Sequence, residues 1–268
     1  MTDLLEWAIA AHGGIDRWNA LQTVSLDLSV GGALWDFKGQ TGLFANASYW
    51  ADIRRQRAIL GRFGAPDRRV HFAPDRLVLE TAHGEVLETR DNPRAAFAGH
   101  SDQTPWDPLH AAYFDGYALW TYLTQPFLYR YPGFLATEIE PWEEDGEVWR
   151  RLKVRFPDDI ASHTREQVSY FGPDGLLRRH DYAVDVLGGS KGAHYIGDYR
   201  ERGGIMVPHR RRVYPLGPDN HKVPEPVLVA IDIISLDFGS AKVGDRQMKS
   251  MEVTSIDDSQ YTECVLAP

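Results

Sequence analysis

Turn signals recur throughout the second half of the sequence, and the residues between them alternate between apolar and polar. Glu144-Asp145-Gly146 and Gly172-Pro173-Asp174-Gly175 are typical of tight hairpin turns. The pattern predicts consecutive strands at 134–142, 147–156, 164–171, 176–186, 193–201, 205–214 and 227–236. Short strands that follow one another in this way favour an antiparallel meander that curls into an open barrel.

The first half of the sequence repeats this pattern after one short helix. Apolar spacing predicts a helix over 3–12, and the alternation of Val24, Leu26 and Leu28 indicates a strand. Further strands are predicted at 33–45, 48–54, 57–63, 68–73, 76–81 and 85–90. The predicted fold is therefore mainly β, with a single, strongly curved antiparallel sheet of about ten strands that forms an open half-barrel. Residues 1–239 are expected to form one domain, and 240–268 an extra edge strand or a disordered tail.

One longer helix interrupts the strands. Residues 107–123 show helical spacing, with Pro108 in the first turn and Pro126 beyond the end. The helix carries one stripe of aromatic residues along a single face, formed by His110, Tyr113, Phe114, Tyr117 and Trp120. We expect this stripe to pack against the concave side of the sheet, so that the helix covers the open barrel as a lid.

Composition and charge exclude several classes of protein. The net charge is −9 at neutral pH, which argues against nucleic acid as a partner, because nucleic-acid binding needs clustered cations. Cys264 is the only cysteine in the sequence, so neither an intrachain disulfide nor a thiolate metal site can form. The N-terminus lacks the features of a signal peptide, and no apolar run reaches the roughly 20 residues of a membrane helix. These observations predict a cytoplasmic protein without stable membrane insertion.

A hairpin in the second half resembles a known family. The segment 170–179 reads Tyr-Phe-Gly-Pro-Asp-Gly-Leu-Leu-Arg-Arg, and it leads to Asp198-Tyr199-Arg200 and then to Gly204-Ile205-Met206-Val207-Pro208. This stretch resembles the bacterial lipoprotein carriers of the LolA-like superfamily over about residues 134–236. The resemblance implies an incomplete antiparallel barrel whose helices cover an apolar cavity. We expect the chain to depart from the true carriers in lacking a signal peptide and a lipid-anchoring cysteine, so that the resemblance extends mainly to the cavity.

The two central hairpins allow side chains to be sorted by face. If Gly172 pairs with Gly175, then His180 pairs with Gln167, and alternate residues share one face. That face is predicted to carry Arg165, Gln167, Arg178, His180, Tyr182, Tyr195 and Tyr199. The opposite face takes most of the carboxylates together with Arg179, and it is predicted to face solvent.

If the first face lines the cavity, the cavity is aromatic and cationic. Such a cavity suits a hydrophobic or amphipathic small molecule with an anionic or carbonyl group, because arginine is well shaped to hold a carboxylate. His110, Tyr113, Tyr117 and Trp120 of the helix would complete the ligand site from above. The alternative is that this face is simply the other solvent face, with arginine stems covering apolar surface. A one-residue bulge would reverse the assignment of the faces.

A cofactor-independent enzyme is the other function that this cavity allows. His180 would act as the acid–base group, while Arg165 or Arg178 would polarise a carbonyl or carboxylate. The spacing of His110, His163 and His180 matches no metal motif, and neither a phosphate loop nor a dinucleotide-binding motif occurs, so no metal and no cofactor are predicted. Exposed sheet edges are compatible with a homodimer.

Overall fold

The computed structural model describes residues 3–240. Within this range the chain forms four α-helices: α1 (Leu4–Ala11), α2 (Ile15–Asn19), α3 (Ala33–Phe37) and α4 (Pro108–Thr124). The strands of the same range are β1 (Leu21–Gly31), β2 (Ala47–Asp52), β3 (Arg57–Gly61), β4 (Arg68–Ala73), β5 (Arg76–Thr81), β6 (Val86–Asp91), β7 (Leu135–Glu144), β8 (Glu147–Arg155), β9 (Glu166–Phe171), β10 (Leu177–Val184), β11 (Ser190–Arg202), β12 (Ile205–Pro215) and β13 (Val229–Ser240).

All of these strands belong to one sheet. Their order is β6-β5-β4-β3-β2-β1-β13-β12-β11-β10-β9-β8-β7, and every neighbouring pair is antiparallel. The first meander therefore runs outward from β1 to β6, and the second runs back from β7 to β13, where β13 pairs with β1. The predicted fold class is confirmed, with thirteen strands in the described residues instead of about ten and with no closure into a barrel.

One predicted strand is wrong. The segment 33–45 begins with α3 and continues through turns, because the strand pattern ends at Gly31 and Gly32. Gly32 has a φ of 109°, and a Cβ at this position would lie 2.5 Å from the carbonyl oxygen of Leu228. This close approach lets α3 pack against β13, and the helical spacing then buries Leu34 and Trp35. The predicted tail lies, apart from Ser240, outside the described residues.

Helix α4 begins and ends close to its predicted bounds. Asp107 caps its N-terminus by accepting a hydrogen bond from the backbone N–H of His110 at 2.9 Å, and Pro108 occupies the first turn. The predicted burial of the aromatic stripe is confirmed for Tyr113, Phe114, Tyr117 and Trp120, while His110 is half-buried. No helix within residues 3–240 combines the length and apolar character needed to cross a membrane.

Burial of α4 extends well beyond the predicted stripe. The helix also buries residues that the stripe leaves out, namely Leu109, Ala111, Ala112, Asp115, Gly116, Ala118, Leu119, Thr121, Tyr122 and Thr124. One side of the helix contacts β3, β4 and β5, and the opposite side contacts β10 and β12 through Tyr122. The sheet therefore wraps around α4, and we call the face that contacts the helix the inner face.

Gly116 sets the distance between α4 and the first meander. A Cβ at this position would lie 2.6 Å from the ring of Phe72, and the backbone carbonyl of Gly116 accepts a hydrogen bond of 2.9 Å from the hydroxyl of Tyr49. A side chain at this point of the helix would force the buried Phe72 ring to move. The close packing of helix against sheet therefore depends on glycine here.

We expect Gly116→Ala to destabilise the protein, although alanine is the better helix former. Overpacking against Phe72 should lower the free energy of unfolding by about 1–3 kcal/mol in urea denaturation. Gly197→Ala is the matched control, because a Cβ at Gly197 meets no atom within 4 Å and should change little. Equal stability of the two variants would contradict this account of the packing.

Candidate functional site

A narrow apolar cleft lies between α4 and strands β10 to β13. The cavity volume of the cleft is about 50 Å³. The walls combine the helix face with apolar side chains of the second meander, among them Phe114, Ala118, Val184, Val213, Leu228 and Ile231. Ser190 and Lys191 lie at the exposed rim. A cleft with apolar walls and few polar groups has the character of a small-molecule site.

Asp115 is the one carboxylate among the residues that line this cleft. Asp115 is only 3% exposed. Within the described residues its side chain forms no hydrogen bond and no ion pair. Burial away from water raises the pKa of Asp115 from 3.8 to about 7. A buried carboxylate without a partner is uncommon, because burying a charge is costly unless the charge is paired.

Tyr122 and Tyr182 close the inner end of the cleft. Their hydroxyls lie 2.8 Å apart, and the hydroxyl of Tyr122 also hydrogen-bonds with Nε2 of His163 at 2.7 Å. The other ring nitrogen of His163 hydrogen-bonds with the hydroxyl of Tyr117 at 3.1 Å, and the His163 ring stacks on Tyr182 with centroids 4.1 Å apart. Burial holds the pKa of His163 well below its usual value, so the ring is neutral and can donate at one nitrogen and accept at the other.

His180 lies beside this group of residues but does not line the cleft. It is fully buried, and Nε2 of Gln125 lies 3.2 Å from its Nδ1. The same amide donates to the hydroxyl of Tyr129, which hydrogen-bonds with Ser169. Burial lowers the pKa of His180 to about 3, so the imidazole is uncharged near neutral pH.

Arg211 and His194 complete a polar cluster on the inner face. Arg211 is buried, and its Nη2 donates to the backbone carbonyl of Tyr122 at 2.6 Å. No carboxylate among residues 3–240 forms an ion pair with it, and its Nη1 has no hydrogen-bond partner there. The carbonyl that it binds lies in the last turn of α4, where the helix dipole is negative. The His194 ring packs edge-on against Tyr122, with centroids 4.5 Å apart. Burial keeps its pKa well below the usual value.

The predicted register of the central hairpin is wrong. The structure pairs His180 with Ser169 instead of Gln167, and a bulge follows Leu177, which pairs with Phe171. The bulge turns Arg178 away from His180, so that Arg178 forms ion pairs with Asp174 and Glu147 instead. Side chains alternate between faces with a period of two. A shift of two residues, from Gln167 to Ser169, therefore leaves His180 on the same face as both residues.

Tyr195 is also on the opposite face from the one predicted. It pairs with Arg179, while its neighbour His194 pairs with His180 and faces α4. The sheet face that carries Arg179 and Asp181 was predicted to be exposed to solvent. This prediction is wrong for these two residues, because both side chains are buried. Arg179 is fully buried, forms a bidentate ion pair with Asp181 at 2.7 Å, and donates to Glu144 at 2.8 Å. Tyr195 donates to Glu144, so this outer face holds its own buried polar network.

The other predicted ligand residues lie at several places. Arg165 is exposed and paired with Asp158, whereas Gln167 is buried and donates to the carbonyl of Thr164 at 2.8 Å. Tyr199 faces inward and donates to the carbonyl of Leu177 at 2.7 Å, outside the cleft.

Of the four predicted ligand residues on α4, only Tyr117 lies near the cleft. Tyr113 packs on Phe72, Trp120 donates to the carbonyl of Asp52 at 2.8 Å, and His110 caps the start of the helix. Tyr182 is the one predicted residue that lines the cleft, and Tyr117 and His180 lie in the polar cluster behind it. In the part of the chain that the structure describes, His, Cys, Asp and Glu side chains form no group of three able to hold a metal ion.

Sequence reasoning missed Asp115, Tyr122, His194 and Arg211. A signal for the first two does exist in the sequence. Asp115, Ala118 and Tyr122 are spaced i, i+3 and i+7, which places them on one face of α4 beside the aromatic stripe. An aspartate in an amphipathic helix usually indicates the solvent face, and only the wrapping of the sheet around α4 makes this face an inner one.

This architecture, with one antiparallel sheet curled around a buried helix, is LolA-like, as the hairpin sequence predicted. A domain from Vibrio parahaemolyticus described as an outer membrane lipoprotein-sorting protein is similar over 94% of this chain and 97% of its own length. It has a TM-score of 0.52 and 9% sequence identity. A LolA superfamily protein from Nitrosomonas europaea matches 87% of this chain and 91% of its own, with a TM-score of 0.46 and 9% identity. No protein-family model and no curated protein matches the sequence. At this identity the likeness shows the fold.

The buried histidines should make the protein sensitive to acid. The unfolded chain takes up protons below pH 6.5, whereas native His180 stays neutral down to about pH 3, so the free energy of unfolding falls as the pH drops. His180 alone should account for about 2 kcal/mol between pH 7.5 and pH 5.0. Urea denaturation of His180→Gln should therefore show a smaller loss over this range than the wild type.

The exposed His83 provides the control for this experiment. His83→Gln should keep the full pH dependence of the wild type. If His180→Gln lost as much stability on acidification as His83→Gln, then His180 would not be a buried neutral group.

Proposed function

We propose that the protein binds a small lipophilic or amphipathic molecule in the cleft between α4 and strands β10 to β13. The observation that carries this proposal is the combination of apolar walls with an open mouth and one unpartnered polar group, Asp115. Binding sites for small molecules typically combine apolar walls with a few oriented polar groups. A purely structural gap in the core would not need a carboxylate at its wall.

The dimensions of the cleft restrict the ligand to a slender one. A short alkyl chain gains about 0.8 kcal/mol for each methylene that it buries, and part of this gain offsets the entropy lost on binding. We therefore expect a six-carbon ligand to bind weakly, with a dissociation constant in the millimolar range or above. Larger ligands would require α4 or the loop before β13 to move.

The fold agrees with this class of ligand. The similar Vibrio domain is described as a lipoprotein-sorting protein, and lipoproteins carry lipophilic groups. The proposal assigns Tyr182 to the wall of the binding site, as the sequence indicated. It assigns His180 no part in binding, because His180 lies outside the cleft lining.

The first test is the binding of hexan-1-ol, a neutral lipophile, measured by saturation-transfer difference NMR. Leu228 lines the cleft and is only half-buried, so Leu228→Trp should fill the cleft without unfolding the protein. We expect this variant to lose the NMR signal of bound hexan-1-ol. The matched control is Val223→Trp, which adds the same ring at an exposed position that precedes β13 and does not line the cleft.

Binding of hexan-1-ol to wild type and Val223→Trp, with loss in Leu228→Trp, would support the cleft as the binding site. Equal binding to the two tryptophan variants would place the ligand elsewhere. No binding to the wild type at 20 mM would overturn the proposed function.

A further inference from the structure

The two charged residues of the cleft lie at different depths. The buried part of the cleft holds one ionisable carboxylate, Asp115, and its aromatic walls include Phe114, Tyr122 and Tyr182. Lys191, the one cation in the lining, lies at the exposed rim and forms no ion pair with Asp115. A carboxylate together with aromatic faces in an apolar enclosure is suited to a cation.

We propose that the cleft selects lipophilic amines, whose protonated nitrogen pairs with the carboxylate of Asp115 while the alkyl or aryl body occupies the apolar walls. This inference rests on the proposed binding function and names its ligand class. The site is defined by geometry: a side chain more than nine-tenths buried, without a partner in the described residues, that lines the cleft.

An amine supplies what Asp115 lacks. An ionised carboxylate accepts hydrogen bonds and cannot donate them, so its natural partner is a donor that also carries positive charge. The hydroxyls of Tyr122 and Tyr182 are already engaged with each other and with His163. A carboxylate ligand would bring a second negative charge next to Asp115, and an alcohol would supply a donor without charge.

Few other groups can titrate near Asp115. The ionisable residues that share the cleft are Tyr122, Tyr182 and Lys191. Tyr49, outside the lining, interacts electrostatically with Asp115 and donates to the backbone of Gly116. Burial raises the pKa values of the three tyrosines, so all three are neutral around pH 7. Asp115, with a pKa of about 7, is therefore the group that changes charge in this range.

The pH dependence of amine binding follows from these charges. Above pH 7 Asp115 is ionised, and an alkylamine stays protonated up to about pH 10, as lysine does. Amine binding should therefore strengthen as the pH rises from 5.5 to 8. Binding of an alcohol of the same length should change little over the same range, because it carries no charge.

The experiment compares hexylamine with hexan-1-ol on the full chain, by saturation-transfer difference NMR at pH 5.5 and pH 8. At pH 8 we expect hexylamine to bind about tenfold to a hundredfold more tightly than hexan-1-ol, the range of a charge-assisted hydrogen bond. Asp115→Asn, which keeps the shape and removes the charge, should abolish this preference, so that hexylamine and hexan-1-ol bind with similar affinity. Asp75→Asn, at an exposed carboxylate outside the cleft, is the matched control and should keep the preference.

Each result decides a different question. If both ligands bind wild type equally at pH 8, or if Asp115→Asn keeps the amine preference, the inference is overturned while the proposed function stands. If neither ligand binds the wild type, the proposed function fails and the inference fails with it. Should Asp115→Asn not fold, the comparison of amine and alcohol in the wild type at the two pH values decides the inference without it.

Discussion

The burial of α4 on all sides is the constraint on which the rest of this structure depends. A single sheet has two faces, and a small protein can bury one of them only by packing another layer against it. Here that layer is one helix of 17 residues, so the sheet has to curl around it from both meanders. The pairing of β1 with β13 holds the two meanders in one sheet, and the glycine at 116 lets the helix lie close against the first of them.

A helix buried in this way brings its polar side chains into the core. Tyr117 and Tyr122 each carry a hydroxyl that needs a partner, and the loop before β9 supplies His163 to both. Arg211 from β12 satisfies a carbonyl in the last turn of α4, where the helix dipole is negative. The polar groups of the helix thus account for the burial of His163 and for one hydrogen bond of Arg211, whereas both ring nitrogens of His194 and Nη1 of Arg211 have no partner in the described residues.

The sequence predicts the sheet and the helix because both depend on local patterns. The alternation of Val24, Leu26 and Leu28 and the aromatic spacing of α4 are visible in a single chain. The bulge at Arg178 cannot be predicted from such a pattern, because the same turn residues allow more than one pairing of the strands. Because of this bulge, Arg178 faces Asp174 and Glu147 instead of His180. The burial of Arg179 could not be predicted from a local pattern either, because its partner Glu144 is 35 residues away in the chain.

Asp115 is the ionisable side chain of α4 that the sheet leaves without a partner in the described residues, and its burial lowers the stability of the folded protein once it ionises. Its pKa is higher in the folded protein than in the unfolded chain, so folding becomes less favourable as the pH rises from about 4 to 7. A shift from 3.8 to about 7 corresponds to about 4 kcal/mol of stability lost above pH 7, a large share of the net stability of a typical domain. Leucine or alanine at this position would avoid that loss and would extend the apolar wall formed by Phe114 and Ala118. A bound cation recovers part of it, and for this reason the unpaired carboxylate is better explained by a ligand than by the fold.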